Sequence, residues 1–389
     1  MKASVELRDK REARLRQQLR DTPMRPLPLF QLTGWTHFVD EEVNPPVLAA
    51  GNSPTEDRKT DEQAIAYHRH LRMVPTDAMT HMQKTVVEAI HRNSGSREGL
   101  MDHVIDGPAG TGKTCLLRAI GRTTQQEIEV ATNGRQPNTI PVVHITTPAD
   151  PEPRVNWIWE IGSYLGLNPE PKSLTEVLEM RRHQDVTLSV NYVLETAQTR
   201  LLLVDDIDRS SPQQLANVLP YFDYLRDKLG ISLIFCGTGA SHLLHQARIL
   251  AQDLTRVSAE NRVRLAQAGR PADSLSPSPS PSPSPTALLP VTWLHPLPLG
   301  LKAEEQEMFR RVLASFEADL RLYRLEENAL SKHAAQLHQL TGGYFKALSY
   351  VISTAAVIAI HSGSENITEK ELKAATAQLG PWQPAANQP

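Results

Sequence analysis

The sequence is short of cysteines and has no long apolar run. Its two cysteines, Cys115 and Cys236, are too few for a disulfide framework or a cysteine-based zinc site. No apolar stretch approaches the roughly 18 residues of a membrane-spanning helix. The first six residues include an acidic side chain and lack the apolar core of a signal peptide. We therefore expect a cytoplasmic protein without membrane association.

The remaining composition is that of an ordinary globular protein. Hydrophobic residues make up 40% of the chain and charged residues 22%, so the chain is able to bury a core. A length of 389 residues allows one full core together with one or two smaller units. The net charge of −3 leaves nucleic-acid binding open, because such binding depends on local clusters of basic residues.

Residues 107–114 fit the phosphate-loop pattern G-x-x-x-x-G-K-[ST] without a mismatch. Glycines allow backbone angles that side chains forbid, so successive N–H groups can surround a phosphate chain. Residues 103–105 predict a buried strand before the loop, and residues 115–120 predict a helix after it. A strand, a glycine-rich turn and a helix N-terminus form an anion site. The residues predicted to bind ATP are Gly107, Pro108, Ala109, Gly110, Thr111, Gly112, Lys113, Thr114 and Cys115.

Two side chains of this loop have predicted chemical roles. Lys113 brings a positive charge to the β- and γ-phosphates and is assigned a catalytic role. The Thr114 hydroxyl is a hard oxygen ligand that suits Mg²⁺. An ordinary glycine-rich turn is the alternative interpretation, and the flanking strand and helix disfavour it. The sequence therefore predicts ATP and Mg²⁺ as cofactors.

A second apolar run, residues 200–204, ends in the carboxylates Asp205 and Asp206. The run predicts a buried strand whose C-terminal tip faces the phosphate loop, where open α/β sheets bind ligands. Asp205 is predicted to hold Mg²⁺, and Asp206 to orient or deprotonate the attacking water. Alternatively, residues 205–208 cap the helix that begins near Ser211 and Pro212. The two interpretations do not exclude each other, and the phosphate loop favours the metal site.

A third apolar run, residues 231–236, ends in Gly-Thr-Gly. A polar residue at this strand tip would lie between the paired carboxylates and the γ-phosphate. Thr238 is the candidate, and it completes the predicted catalytic set with Lys113 and Asp206. A simple glycine turn with a solvated threonine is the alternative.

The rest of the chain predicts appendages around this core. Residues 1–22 are predicted to form a basic helix that is either solvated or docks on a partner protein or a phosphate backbone. Residues 302–379 predict a helical lid whose core is the apolar run 351–360. The expected units are an N-terminal basic helix and proline-rich arm (1–60), a nucleotide-binding core (61–270), a Ser-Pro spacer (271–286), the last core strand (287–300), a helical lid (301–380) and a tail (381–389).

This succession of motifs resembles an AAA+ ATPase, and more narrowly the TniB/TnsC group of transposition ATPases related to the phage Mu B protein. The resemblance rests on the phosphate loop, residues 201–206, the tip at residues 237–238, and residues 297–299 with 340–343 at the lid. It implies an α/β fold with a five-stranded parallel sheet between helix layers, followed by a small helical lid. It also implies an ATPase that assembles as an oligomer or filament on double-stranded DNA and delivers the target to a transposase.

The sequence departs from this family at two points. The usual second carboxylate is glutamate, and Asp206 is one methylene shorter, so hydrolysis is expected either to be slow or to rely on a closer approach of the carboxylate. The Ser-Pro tract obscures the arginine that acts on a neighbour's ATP. Lys346 either senses nucleotide or is solvated. A nucleotide-switched scaffold of the STAND kind, which binds protein instead of DNA, is the alternative function. The candidates for the arginine that acts on a neighbour's ATP are Arg248, Arg256, Arg262 and Arg264.

Overall fold

A five-stranded parallel sheet forms the centre of the protein, with strand order β2-β3-β4-β1-β5. The computed structural model describes residues 27–41, 58–69, 76–95, 101–147, 157–167, 186–253, 289–300 and 302–377. The strands are β1 (His103–Asp106), β2 (Val142–Thr146), β3 (Leu201–Asp205), β4 (Ser232–Cys236) and β5 (Val291–Trp293). This architecture confirms the predicted fold class.

The inner strands are buried along their whole length, which explains their continuous apolar sequences. β4 lies between β3 and β1, with Ile234 opposite Leu203 on one side and His103 on the other. Because all strands are parallel, their C-terminal ends lie at one edge of the sheet. That edge carries the loops after β1, β3 and β4.

Helices pack around the sheet and continue into a helical lid. Before and within the core they are α1 (Leu32–Asp40), α2 (Arg58–Arg69), α3 (Asp77–Gly95), α4 (Lys113–Ala131), α5 (Trp157–Tyr164), α6 (Thr187–Thr196), α7 (Pro212–Leu229) and α8 (residues 240–253). In the lid they are α9 (Ala303–Asp319), α10 (Ala329–Lys332), α11 (Ala334–Thr341), α12 (Phe345–Ser362) and α13 (Glu369–Ala377).

The two tryptophans of α5, Trp157 and Trp159, are buried and anchor that helix in the core. Ser211 caps α7 with a reciprocal capping box to Gln214, so the carboxylates after β3 are not needed as caps. α4 extends to Ala131, well beyond the apolar run that predicted it. The predicted basic N-terminal helix and the Ser-Pro tract lie outside the described residues.

The segments before the core dock in two different places. α1 packs on the core, where Trp35 is fully buried. α2 packs on lid helix α12, and the Tyr67 hydroxyl donates to the backbone oxygen of Asp319 at 2.9 Å. His68 accepts a hydrogen bond from the backbone N–H of Arg321 at 3.0 Å. The chain before the phosphate loop therefore contacts both the core and the lid.

Helix α12 forms the core of the lid. It is an 18-residue helix, and by length and composition alone it is apolar enough to cross a membrane. Its buried residues include Leu348, Ile352 and Ala356, and α2, α11 and α13 pack against it. Its apolar sequence is therefore accounted for by packing within the lid.

Gly343, just before α12, provides a test of how the lid is joined to the core. It has φ +75°, and a Cβ there would lie 2.0 Å from the backbone oxygen of Leu297. Gly363 has φ +70° and open space around it. We expect Gly363→Ala to cost about 1 kcal/mol for the left-handed backbone alone. Gly343→Ala should cost about 2 kcal/mol, because the Leu297 backbone must also move.

Urea denaturation of both variants would measure these free energies of unfolding. Equal losses for Gly343→Ala and Gly363→Ala would contradict the close backbone contact between the lid and Leu297.

His103 predicts a pH dependence of stability. Burial lowers its pKa to about 4, and its Nε2 lies 3.1 Å from Thr292 Oγ1. Because the folded pKa lies below the unfolded value of about 6.5, the contribution of neutral His103 is complete above pH 6.5 and is lost as the pH falls towards 4. Relative to His103→Gln, the unchanged protein should lose about 2 kcal/mol more between pH 7 and pH 4.5.

Urea denaturation at pH 7, 5.5 and 4.5 would measure this difference. The comparison with the variant is needed because burial raises the pKa of the adjacent Asp102 to about 6, which gives the opposite pH dependence. The exposed His361→Gln serves as control and should follow the unchanged protein. Parallel pH profiles for the unchanged protein and His103→Gln would contradict the prediction.

Candidate nucleotide-binding site

The phosphate loop connects β1 to α4 and has the backbone shape that its glycines predict. Gly110 and Gly112 have φ of +83° and +95°, in the left-handed region that favours glycine. A Cβ on Gly107 would lie 2.2 Å from the backbone oxygen of Leu294, so this position also requires glycine. Thr111 is buried, and its hydroxyl donates to the backbone oxygen of Pro108 at 2.9 Å.

Lys113 is held beneath this loop by polar contacts. Its Nζ donates to the backbone oxygens of Gly107 and Pro108 at 2.8 Å each. It also donates to Thr238 Oγ1 at 3.1 Å. The structure thus brings the predicted lysine and the predicted threonine into direct contact, although they lie 125 residues apart in the chain.

Thr114 and Asp205 offer a pair of oxygen ligands at the start of α4. Thr114 Oγ1 donates to Asp205 Oδ1 at 3.1 Å. Burial alone would raise the pKa of Asp205, but His144 above all, and then Arg118 and Thr114, favour the carboxylate, and the pKa lies below its usual value. An ionised carboxylate beside a hydroxyl is a donor set that fits Mg²⁺.

Asp206 follows with a left-handed backbone, at φ 56° and ψ 39°. Burial and the neighbouring charge of Asp205 raise its pKa above the usual value, which suits a proton acceptor. Its Oδ2 is paired with Arg209 Nη2 at 2.7 Å. Arg209 is therefore ion-paired with the carboxylate that is predicted to orient or deprotonate the attacking water.

Two further carboxylates organise this edge of the sheet, and the motif analysis missed both. Asp106 at the end of β1 accepts hydrogen bonds from the backbone N–H groups of Gly107 at 2.6 Å and Gly239 at 2.8 Å. It also accepts from the Ser241 hydroxyl at 2.6 Å. Asp208 accepts from the Thr238 backbone N–H at 3.1 Å. The sequence signal for Asp106 was its position as an acidic residue immediately before Gly107 of the phosphate loop.

The lid closes over the phosphate loop. The backbone N–H of Lys346 donates to the backbone oxygen of Gly110 at 3.0 Å. Beneath it lies a cleft of about 510 Å³, which the lid residues Phe316, Phe345 and Ser349 help to line. The predicted residues that line the same cleft are Ala109, Gly110, Gly112, Lys113, Thr114, Cys115, Asp205, Asp206 and Thr238.

Arg248 is not free for the trans-acting role considered from the sequence. Its Nη2 donates to Asp102 Oδ2 at 2.8 Å, and Arg226 donates to the same buried oxygen. This ion-pair cluster holds Arg248 on its own subunit. The other candidates, Arg256, Arg262 and Arg264, lie outside the described residues.

The fold and the site define an AAA+ P-loop core, in which a phosphate loop and two strand tips share one cleft with a helical lid. Residues 102–244 match the family model for an AAA domain. The chain therefore contains an AAA domain, and the lid follows it. No curated protein matches the sequence at the significance required.

Two solved structures from Aeropyrum pernix share this fold. The ORC1 protein, solved in complex with DNA, is 15% identical, with a TM-score of 0.50 over 79% of this chain and 66% of that chain. The ORC2 protein, solved in ADPNP–ADP complexes, is 13% identical, with a TM-score of 0.51 over 86% of this chain and 73% of that chain. This chain thus spans slightly less than two thirds of the ORC1 chain. At these identities, the likeness shows the fold.

Proposed function

We propose that this protein is an ATPase that assembles on double-stranded DNA in its ATP state and regulates transposition. The observation that carries the ATPase part is the convergence of Lys113, Thr114, Asp205, Asp206 and Thr238 on one cleft. These residues supply a cation, a metal-binding oxygen pair and a proton acceptor at a single edge of the sheet. Such an arrangement suits phosphoryl transfer to water.

Each residue has a role in this proposal. Lys113 neutralises charge on the phosphates, while Thr114 and Asp205 hold Mg²⁺. When bound, Mg²⁺ supplies further positive charge to the phosphate oxygens. Asp206 takes the proton of the attacking water, and Thr238, held next to Lys113, orients that water or the γ-phosphate.

The ion pair between Arg209 and Asp206 is consistent with slow ATP turnover. The Arg209 guanidinium at 2.7 Å favours the ionised carboxylate but also restrains its direction. Slow hydrolysis would let an ATP-bound assembly persist on DNA and then come apart. The same feature suits the alternative, a STAND-like scaffold that holds ATP and binds protein.

The DNA and transposition parts rest on the resemblance to TniB/TnsC ATPases. The AAA+ core shared with an ORC1 protein solved in complex with DNA supports DNA as a partner. Phosphate contacts would dominate such binding, which should then be salt-dependent and show little sequence preference. The further partners proposed are a transposase and other copies of this chain, in a cytoplasmic complex.

The testing experiment is binding of the full chain to labelled duplex DNA with ATP, ADP or no nucleotide across a salt series. We expect ATP-dependent, salt-sensitive binding that Lys113→Ala removes. A matched control is Lys302→Ala, whose lysine is 80% exposed and pairs only loosely with Glu305. If DNA fails to bind with ATP, with ADP and without nucleotide, while ATP itself still binds, the DNA-assembly proposal is rejected and the scaffold is favoured.

A further inference from the structure

Asp106, the last residue of β1, is a buried carboxylate that takes no part in the chemistry above. It is fully buried, and it does not line the nucleotide cleft. Its hydrogen-bond partners among the described residues are N–H and O–H groups rather than a cationic side chain. A buried carboxylate without a cation depends on such donors, so the position of the donors shows what Asp106 holds together.

Four hydrogen bonds reach the two oxygens of Asp106. Oδ1 accepts from the backbone N–H of Gly107, at the start of the phosphate loop, at 2.6 Å and from that of Gly239 at 2.8 Å. Oδ2 accepts from the backbone N–H of Ser241 at 2.9 Å and from its hydroxyl at 2.6 Å. Gly239 directly follows Thr238, and Ser241 lies in the first turn of α8. One carboxylate therefore joins the phosphate loop to the backbone that carries Thr238.

Lys113 also links the phosphate loop to Thr238, but its contacts must change when a nucleotide binds. Its Nζ donates to two backbone oxygens of the loop and to Thr238 Oγ1. An ammonium group has three N–H donors, so all of them are used. Lys113 must therefore release at least one acceptor in order to donate to a phosphate. The bonds of Asp106 to Gly107 and Gly239 do not depend on that exchange, so they keep the loop and the tip of β4 at one separation.

Two further contacts hold the chain on either side of this bridge. Asp208, which follows β3, accepts from the Thr238 backbone N–H at 3.1 Å, but its side chain is exposed to water. Further along α8, Arg248 pairs with the buried Asp102 at 2.8 Å. This ion pair keeps α8 on the core. Loss of the Asp106 bonds would therefore free the tip of β4 and the first turn of α8 and leave the rest of α8 in place.

Building on the ATPase function proposed above, we propose that Asp106 is a positioning residue that fixes Thr238 in the cleft during ATP hydrolysis. Asp106 acts through the backbone next to Thr238, because its own side chain does not reach the cleft. The phosphate loop has other supports, including the backbone bond from Lys346 to Gly110. A small displacement of a group that orients water or phosphate lowers a rate steeply. Weakening the bridge should therefore lower the rate of hydrolysis more than the affinity for ATP.

Two substitutions weaken this bridge to different extents. Asp106→Asn replaces one acceptor oxygen with an NH₂ group, so one pair of donors loses its acceptor whichever way the amide turns. Ser241→Ala removes only the hydroxyl bond to Oδ2, and it provides the same test if Asp106→Asn does not fold. Ser232→Ala is the matched control, because Ser232 lies at the opposite end of β4, where its hydroxyl accepts from Asn93 at 3.0 Å.

The first measurement is single-turnover hydrolysis of ATP with Mg²⁺ by an excess of the full chain, which gives a maximal rate and a half-saturating protein concentration. For Asp106→Asn, we expect the maximal rate to fall about tenfold, less than the roughly 100-fold loss that a displacement of about 1 Å causes. For Ser241→Ala, it should fall about threefold, as for one hydrogen bond. The half-saturating concentrations should stay within about twofold of the unchanged protein. Ser232→Ala should match the unchanged protein in both quantities.

A double-mutant cycle with Thr238→Ala separates positioning of Thr238 from general structural damage. Thr238→Ala alone should lower the maximal rate about 100-fold, as for the loss of one oriented donor in an active site. Because Asp106 acts through Thr238, Asp106→Asn should lower the rate no further in that background, and the same holds for Ser241→Ala. Structural damage would instead lower the rate by the same factor in both backgrounds.

Equal falls in both backgrounds, or normal rates for Asp106→Asn or Thr238→Ala, would overturn the positioning role and leave the ATPase function standing. A raised half-saturating concentration at an unchanged maximal rate for Asp106→Asn would also overturn it, and would assign Asp106 to nucleotide binding by the phosphate loop. Failure of the unchanged protein to hydrolyse ATP would overturn the proposed function and the positioning role together.

Discussion

Lys113→Ala is expected to weaken ATP binding by about 100-fold. The Lys113 ammonium group lies between the loop carbonyls and Thr238 Oγ1, where the phosphates of ATP would meet it. Removing a charged hydrogen-bond donor costs about 1.5–3 kcal/mol per bond, and 1.4 kcal/mol corresponds to a factor of ten. Isothermal titration calorimetry with ATP and Mg²⁺ would measure the change.

Lys302→Ala tests whether this loss is specific, because Lys302 lies on the lid surface. The ATP affinity of this variant should equal that of the unchanged protein. Lys113→Arg keeps the positive charge but replaces a compact ammonium with a planar fork. It should bind ATP less tightly than the unchanged protein and more tightly than Lys113→Ala. An affinity for Lys113→Ala within threefold of the unchanged protein would show that the phosphate-loop assignment is wrong.

Asp206→Asn is expected to lower the rate of ATP hydrolysis by about 1000-fold and leave ATP binding intact. Asparagine has nearly the same shape and also tolerates the left-handed backbone found at φ 56°. It cannot accept the proton of the attacking water, and a general base contributes about 10²–10⁴ to a rate. Phosphate release would measure turnover, and a fluorescent, non-hydrolysable ATP analogue would measure binding.

Asp227→Asn is the control, because this aspartate is 54% exposed and pairs with Arg226 away from the cleft. Its turnover should match that of the unchanged protein. A normal rate for Asp206→Asn would remove Asp206 from the catalytic set. A fall in both ATP binding and turnover would assign it a structural role, through its pairing with Arg209.

The fold was largely predictable because its signals are local in the sequence. Each buried strand is a short apolar run that ends in a polar or glycine residue, and the phosphate loop is contiguous from Gly107 to Thr114. Parallel strands place their C-terminal ends at one edge, so the meeting of Lys113 with Thr238 followed from topology. Helix ends were less predictable, as α4 shows, because residues 122–127 in its middle are all polar and interrupt the apolar pattern.

The unpredicted contacts are those between distant segments with no shared pattern. Asp106 joins the phosphate loop to the tip of β4. Arg248 forms an ion pair with the buried Asp102, which lies 146 residues away in the chain. No periodicity or spacing encodes such partners, because side-chain burial and approach depend on how the helices pack. The lid contact of Lys346 with Gly110 is also made through backbone atoms, which the residue type does not specify.

The sequence by itself was enough to predict the nucleotide site of this protein, because a glycine-rich loop and strand-end carboxylates indicate their ligands through local backbone and residue type. The tertiary structure alone decided which remote groups surround that site. His144 reads as an ordinary strand residue, yet it lies between Leu29 and Asp205, which are 176 residues apart in the chain. Only the packing of residues 27–41 against β2 brings these three groups together.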